Sequence, residues 1–222
     1  MMVSRKGIPF FKRLLDLVLT SVGLFVLSPV FFILAILVWY FHGHPVLFRQ
    51  ERGGYKGRIF KIYKFRTMIE SHDAQGKPLS DTHRLTKFGK FLRASSLDEL
   101  PEFLNILRGE MSWVGPRPLF AHYLERYSQE QFRRHDVLPG LTGWAQVNGR
   151  NALSWDEKFA LDVWYVDHWS LWLDIKILLI TFLKVIKREG ISEPGVSTAR
   201  EFMPDSEEKQ QKINIDNEDQ ET

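Results

Sequence analysis

The stretch that most limits the fold lies near the start. It reads "LLDLVLTSVGLFVLSPVFFILAILVWYF", Leu14–Phe41, 28 residues whose only charge is Asp16. About 20 apolar residues in a helix cross a bilayer, so this segment is long enough to do so. It is too long for a cleaved signal peptide and has no small-x-small cleavage site. Ser28 and Pro29 sit at its middle. A proline there removes one helical hydrogen bond and crowds the preceding turn, and the Ser28 hydroxyl could take the freed carbonyl. Two arrangements follow: a kinked helix that crosses, or a helix–break–helix that enters and leaves on one side.

Flanking charge separates the two. Arg5, Lys6, Lys12 and Arg13 come before the break, and Arg49, Arg52, Lys56, Arg58, Lys61, Lys64 and Arg66 come after, opposed only by Glu51. Positive flanks favour the cytoplasmic side, and a crossing helix cannot keep both there. Each half is also short, 14 residues before Ser28 and 12 after Pro29, roughly 20 Å at about 1.5 Å per residue. The charge pattern therefore predicts a re-entrant N-terminal membrane helix over residues 1–45, broken at Ser28 and Pro29. A second apolar stretch, Ser170–Glu189, reads either as an amphipathic helix lying in the membrane interface or as a core helix packed on the domain.

The rest of the chain suits one domain, residues 46–202, and a tail. The tail, 203–222, carries seven acids against Lys209 and Lys212, which leaves a body of +8 within a total of +3. A basic body points to anionic partners such as lipid headgroups, phosphates or nucleic acid. The hydrophobic N-terminus argues against nucleic acid. The tail, almost without apolar residues, reads as disordered. With no cysteine in the sequence, disulfides and thiolate metal sites are excluded.

The fold class expected is α/β, mainly helical, with interfacial amphipathic helices and a small β element. Gly57–Met68 alternates as a strand after a turn at Gly53–Gly54, and 71–82 is a polar loop. Arg84–Ser96 has helical spacing, Pro101–Gly109 is a short helix ended by Gly109, and 119–135 is a third helix. Leu138–Trp155, rich in Gly and Asn, reads as loop.

The chemistry centres on "SSLDELPEFLNILRGEMSWVGPRP", Ser95–Pro118. Ser96 to Glu99 fits a capping box, which alone explains acids at a helix start. The alternative is an active site. Adjacent carboxylates repel, so Asp98 and Glu99 need a compensating cation, and a divalent metal such as Mg²⁺ binds such oxygens together with phosphate. Arg117, fixed between two prolines, and Arg150, on an Asn-Gly turn, suit forked contact with phosphate.

The segments "KFRTM", "SLDELPEFLNILRGEMSWVGPRP", "PGLTGWAQVNGRN" and "LDIKI", in this order behind the hydrophobic helix, closely resemble the bacterial sugar transferases, the monotopic phosphoglycosyl transferases. The resemblance covers residues from about 10 to about 200. The small size resembles the minimal branch that begins N-linked glycan assembly in campylobacter-like bacteria. It implies transfer of a phosphosugar from a UDP-sugar to undecaprenyl phosphate with release of UMP, dependent on Mg²⁺. The expected place is the bacterial inner membrane, with the catalytic domain on the cytoplasmic face. By the same resemblance Asp98 is the nucleophile of a ping-pong reaction through an aspartyl-phosphosugar, and Glu99 a base or metal ligand. A base gains little against an acceptor phosphate already largely dianionic at neutral pH, which favours the metal or orienting role for Glu99. Arg93, Arg117 and Arg150 match phosphate- or nucleotide-binding positions, while Lys64 and Asp174 match functional positions without a derived role. Ser28 and Pro29 match the helix break. The donor expected is UDP-N,N′-diacetylbacillosamine or another N-acetylated sugar. Bilayer lipids, a homodimer across the apolar faces and downstream glycosyltransferases complete the partners. The competing readings are a membrane-bound UDP-sugar hydrolase or transferase without a covalent intermediate, and a non-catalytic scaffold on anionic lipid.

Overall fold

The computed structural model describes residues 8–73, 75–149, 153–187 and 201–203. Arg150 and the acidic tail beyond Met203 lie outside the described residues. In chain order the regular elements are α1 (Phe10–His42), β1 (Leu47–Gly53), β2 (Ile59–Phe65), α2 (Asp81–Arg84), α3 (Lys87–Ala94), α4 (Phe103–Arg108), β3 (Ser112–Val114), α5 (Gln129–Phe132), β4 (Gly140–Thr142), α6 (Trp144–Asn148), α7 (Trp155–His168) and α8 (Leu171–Lys187). Short 3-10 helices fill several gaps, among them Leu97–Glu102.

The expected break in α1 does not interrupt the helix, which continues through Ser28 and Pro29. The physical reason is local. Pro29 has no N–H to give the carbonyl of Phe25, and the Ser28 hydroxyl donates to that carbonyl instead, at 2.8 Å. The helix also docks on the body at both ends. Near its start Lys12 donates to the Val114 carbonyl and to Asp174, and at its end His42 meets the Thr86 hydroxyl at 2.8 Å. Between them Leu24, Leu27 and Phe31 pack on Phe60, Ile62, Phe103, Ile106 and Met111, and Leu34 and Val38 pack on Phe65 and Leu92.

The other side of α1 is apolar and bare. Phe10, Phe11, Val18, Val22, Phe25, Val26, Phe32, Trp39 and Tyr40 are all exposed. The helix is long and apolar enough to cross a membrane. On α8, Leu173 and Ile177 are buried in a cluster with Val114 and Tyr165 while Trp172, Leu179, Phe182 and Leu183 are exposed. The core-packing reading thus holds for one face of this helix, and the other face is apolar and exposed. An apolar groove joins it to α1, lined by Phe11, Leu14, Leu15, Val18, Leu171 and Ile175.

Two small sheets fix the body. β1 and β2 form an antiparallel hairpin, and β3 pairs in parallel with β4. The expected strand at Gly57–Met68 is β2; β1, its partner, was not foreseen because "LFRQERG" has no clean alternation. The helix expected over 119–135 is three short pieces: a 3-10 helix at Ala121–Glu125, α5, and a 3-10 helix at Arg133–Asp136. Ser128 and Gln131 form a capping box that starts a new helix there. The helix expected over Arg84–Ser96 is also divided, between α2 and α3, because Thr86 accepts from the Gly89 N–H as a fresh N-cap. The presumed loop Leu138–Trp155 contains β4 and α6, whose Gly-rich sequence has a packing reason given below.

Candidate active site

The site is assembled where β2, α3 and the 3-10 helix Leu97–Glu102 meet. Lys64 comes from the end of β2, and the chain then runs into Thr67, against which α3 packs at Gly89. A Cβ on Gly89 would lie 1.9 Å from the Thr67 carbonyl oxygen, so no other residue fits. This close approach brings Arg93 of α3 over Thr67, where its Nε donates to the hydroxyl at 3.1 Å.

Arg117 arrives by a second tight crossing. The segment carrying Gly115 touches the β4 segment backbone to backbone. Added Cβ atoms on Gly115, Gly140 and Gly143 would lie 2.2, 2.1 and 2.1 Å from backbone atoms of the opposing segment. That packing explains the glycines of "VGPRP" and "PGLTG". Behind Arg117, its carbonyl accepts from Nη2 of Arg134 at 2.7 Å, and Arg134 is itself held by buried Asp162 at 2.7 Å.

The capping box expected at Ser96 does not form. Ser96 adopts a left-handed backbone, φ 55 and ψ 19, and its side chain caps nothing. A left-handed serine is strained by about 1–2 kcal/mol. The tighter helix turns Glu99 away from the Ser96 amide and toward two cations. Glu99 Oε1 lies 2.6 Å from Lys64 Nζ and 2.5 Å from Arg117 Nη2. Lys64 is shared, because Glu102 Oε1 lies 3.1 Å from it. Asp98 is buried at 8% exposure, and among the described residues its carboxylate has no hydrogen bond and no ion pair.

These partnerships divide the acids. Burial opposes ionisation of Glu99, but Arg117 and Lys64 override it and hold the carboxyl well below the usual carboxylate range. Burial, then the charge of Glu99, push Asp98 up to about 6 despite Lys64, Arg93 and Arg117. Burial pushes Glu102 up to about 7 against the pull of Lys64. The charge of Glu99 in turn raises Arg117. The result is a clamped, fully ionised Glu99 beside an uncommitted Asp98.

Over residues 8–188 the chain matches the family pattern described as Bacterial sugar transferase. The chain belongs to this family. It is therefore a transferase and, with its long apolar helix, a membrane protein. An "Uncharacterized sugar transferase EpsL" of Bacillus subtilis (strain 168) is 50% identical over 191 residues, covering 86% of this chain and 95% of that protein. A "UDP-glucose:undecaprenyl-phosphate glucose-1-phosphate transferase" of Klebsiella pneumoniae is 41% identical over 184 residues, 78% of this chain. An "Undecaprenyl-phosphate galactose phosphotransferase" of Salmonella typhimurium is 36% identical over 208 residues, 85% of this chain. The chain spans only 40% and 43% of the length of these last two.

In this sugar transferase Lys64, Asp98, Glu99 and Arg117 are gathered into one cluster, with Arg93 close enough for its charge to act on Asp98. Asp174 is elsewhere. It is 1% exposed, and accepts from Lys12 at 2.7 Å, Tyr165 at 2.6 Å and Trp169 at 3.1 Å, joining α1 to α8. Ser28 and Pro29 lie within α1, distant in sequence from the cluster. Sequence reasoning missed Glu102, which shares Lys64 with Glu99. Glu102 stands three residues after Glu99, the spacing of one 3-10 turn, which is the signal that would have found it. Among the described residues no three potential metal ligands converge. Mg²⁺ needs only one or two carboxylates besides phosphate oxygens and water, and the uncommitted Asp98 suits that role. Glu99 has one oxygen to add, since Oε1 is taken by Lys64 and Arg117.

Proposed function

We propose that the chain transfers a sugar phosphate from a UDP-sugar to undecaprenyl phosphate, with Asp98 as a covalent nucleophile. One observation carries this reading: within the acid cluster, Asp98 is the carboxylate left without a partner, while its neighbour is locked by two cations. A nucleophile committed to a salt bridge would have to break it before attack; Asp98 does not. The substrates are those named for the Klebsiella and Salmonella relatives.

In the first step a carboxylate oxygen of Asp98 bonds to the phosphorus bearing the sugar. The bond from that phosphorus to the bridging oxygen breaks, and UMP departs with the electron pair. In the second step a phosphate oxygen of undecaprenyl phosphate attacks the same phosphorus. The Asp98 carboxylate leaves, giving undecaprenyl-diphosphate-sugar. Lys64 and Arg117 hold Glu99 ionised and in place, and Arg117, part of whose side chain is exposed, would meet incoming phosphate. Mg²⁺ held by Asp98 and Glu99 would neutralise charge on the diphosphate. The protein would sit monotopically, on the inner membrane with the domain in the cytoplasm. Support for this comes from the docking of both ends of α1 on one body. It comes also from the bare apolar faces of α1 and α8.

The test is the intact mass of the detergent-solubilised protein after mixing with Mg²⁺ and a panel of UDP-sugars, without polyprenyl phosphate. A phosphosugar mass gain, absent in Asp98→Asn, is expected. UMP release without an adduct, unaffected by the substitution, would overturn Asp98 as nucleophile and favour direct transfer or hydrolysis.

A further inference from the structure

Arg52 has no place in the scheme above, yet its surroundings are unusual. The backbone bridge from Arg52 to Phe120, and the Gly53 amide bonded to the Leu119 carbonyl at 3.0 Å, zip the end of β1 to the residues just after Arg117. This pairing sets the guanidinium over the Phe120 ring, 4.0 Å from its centroid. Its Nη2 donates to Gln50 at 2.7 Å, but its buried Nε has no acceptor among the described residues. No carboxylate lies within ion-pair distance of it among the described residues either. Burial, then the like charge of Arg117, lower its pKa to about 10, against the smaller opposite effects of Glu102, Tyr123 and Glu99.

A half-buried guanidinium beside a second one is costly unless an anion joins them. Glu99 already answers Lys64 and Arg117, so within the cluster Arg52 is the cation left over. The planar fork of arginine matches a phosphate oxygen pair, and the aromatic face beneath it fixes the plane of the fork. We infer that Arg52, held over Phe120 and near enough to Arg117 to feel its charge, forms a phosphoryl-binding subsite through the Nη1 end of its fork, Nη2 being held by Gln50. The ligand chemistry is a phosphate group, supplied either by the diphosphate of the donor or by the phosphate of the lipid acceptor. This inference rests on the proposed function for the identity of those two sources.

The experiment measures binding rather than turnover. Full-length protein in detergent micelles, as wild type, Arg52→Gln and Arg52→Lys, is titrated with UDP and, separately, with undecaprenyl phosphate. Loss of a charge-assisted hydrogen bond predicts weakening on the order of 10- to 100-fold for Arg52→Gln and a smaller loss for Arg52→Lys. Arg108→Ala, which removes an exposed cation resting on Tyr63, is the control and keeps wild-type affinity. Weakening confined to UDP assigns the subsite to the donor; weakening confined to undecaprenyl phosphate assigns it to the acceptor. Unchanged affinity for both ligands overturns the inference. If Arg52→Gln does not fold, Arg52→Lys decides, and wild-type affinity for both ligands in that variant overturns it. A wild type that binds UDP through Arg52 but transfers nothing would sink the proposed reaction and leave the subsite standing. A wild type that transfers sugar phosphate while Arg52→Gln binds normally would do the reverse.

Discussion

Two buried charge clusters in this molecule look alike on a list of ion pairs and differ in kind. In the first, Lys12 meets Asp174 at 2.7 Å, and Tyr165 and Trp169 donate to the same carboxylate. The Lys12 ammonium also reaches the Val114 carbonyl at 2.9 Å, so both partners are surrounded by hydrogen bonds. In the second, Glu99 is as well served, but its neighbour Asp98 has no partner among the described residues and the Nε of Arg52 has no acceptor. Full satisfaction pins two elements together; a remainder of opposite charges leaves room for a ligand that completes the set. The first cluster staples α1 to α8, and the second keeps charges that a ligand could answer.

Substitutions can break that distinction. The largest effect is expected from Asp98→Asn, with turnover lower by about 10⁴-fold or more and the melting temperature unchanged. UMP release and thermal unfolding in detergent check both halves. A large loss of stability instead would make Asp98 a structural acid.

Lys12→Met should do the opposite, costing about 3–5 kcal/mol because it strands a buried carboxylate. The paired substitution Lys12→Met with Asp174→Leu should recover most of that stability, since Tyr165 keeps the Val114 carbonyl at 3.2 Å. Failure of the pair to recover would show that Asp174 does more than hold helices together. No paired apolar replacement of Lys64 and Glu99 should restore activity.

A third region sharpens the contrast. Phe202 is 3% exposed in a cage of Tyr123, Tyr127, Trp155 and Phe159. Its amide donates to the Tyr123 hydroxyl at 3.0 Å, and its carbonyl accepts from Arg126 at 2.7 Å. Phe202→Ala should cost about 3 kcal/mol in unfolding free energy. It should lower activity only through Arg134, which spans from the cage rings to the Arg117 carbonyl. A loss of turnover as large as that of Asp98→Asn would contradict this.

The smallest effect is that of pH. Because burial and Glu99 raise Asp98 to about 6, its reactive ionised form is full above that value and is lost as pH falls through it. The rate of adduct formation should drop by about tenfold per pH unit below 6. Rapid-quench measurement of the first turnover between pH 5 and 8 tests the direction. A rate that is flat, or that rises toward low pH, would remove Asp98 as the titrating nucleophile.

Much of this was legible in the residues. The apolar run of 28 residues, the strand before Lys64, the short helix ended by Gly109 at φ 80, and the acid pair with its arginines were all read without contacts. These depend on local composition and spacing, which a linear sequence carries directly. The reading of Ser96 as a cap failed because the local pattern was identical in both outcomes. What turned Glu99 toward Lys64 and Arg117 was the left-handed Ser96 and the meeting of β2, α3 and the Gly115 segment.

Asp174 shows the same limit from the other side. Its motif marked it as functional, yet its oxygens are consumed by Lys12, 162 residues earlier, and by Tyr165 and Trp169. Arg52 looked like one more base flanking the membrane helix until the bridge to Phe120 set it beside Arg117. By itself the sequence determined the membrane-facing helix, the residue types of the site and the family pattern, because each is written in neighbouring residues. Only the tertiary structure decided which charges were matched and which were left over, because pairing depends on distances between segments far apart along the chain.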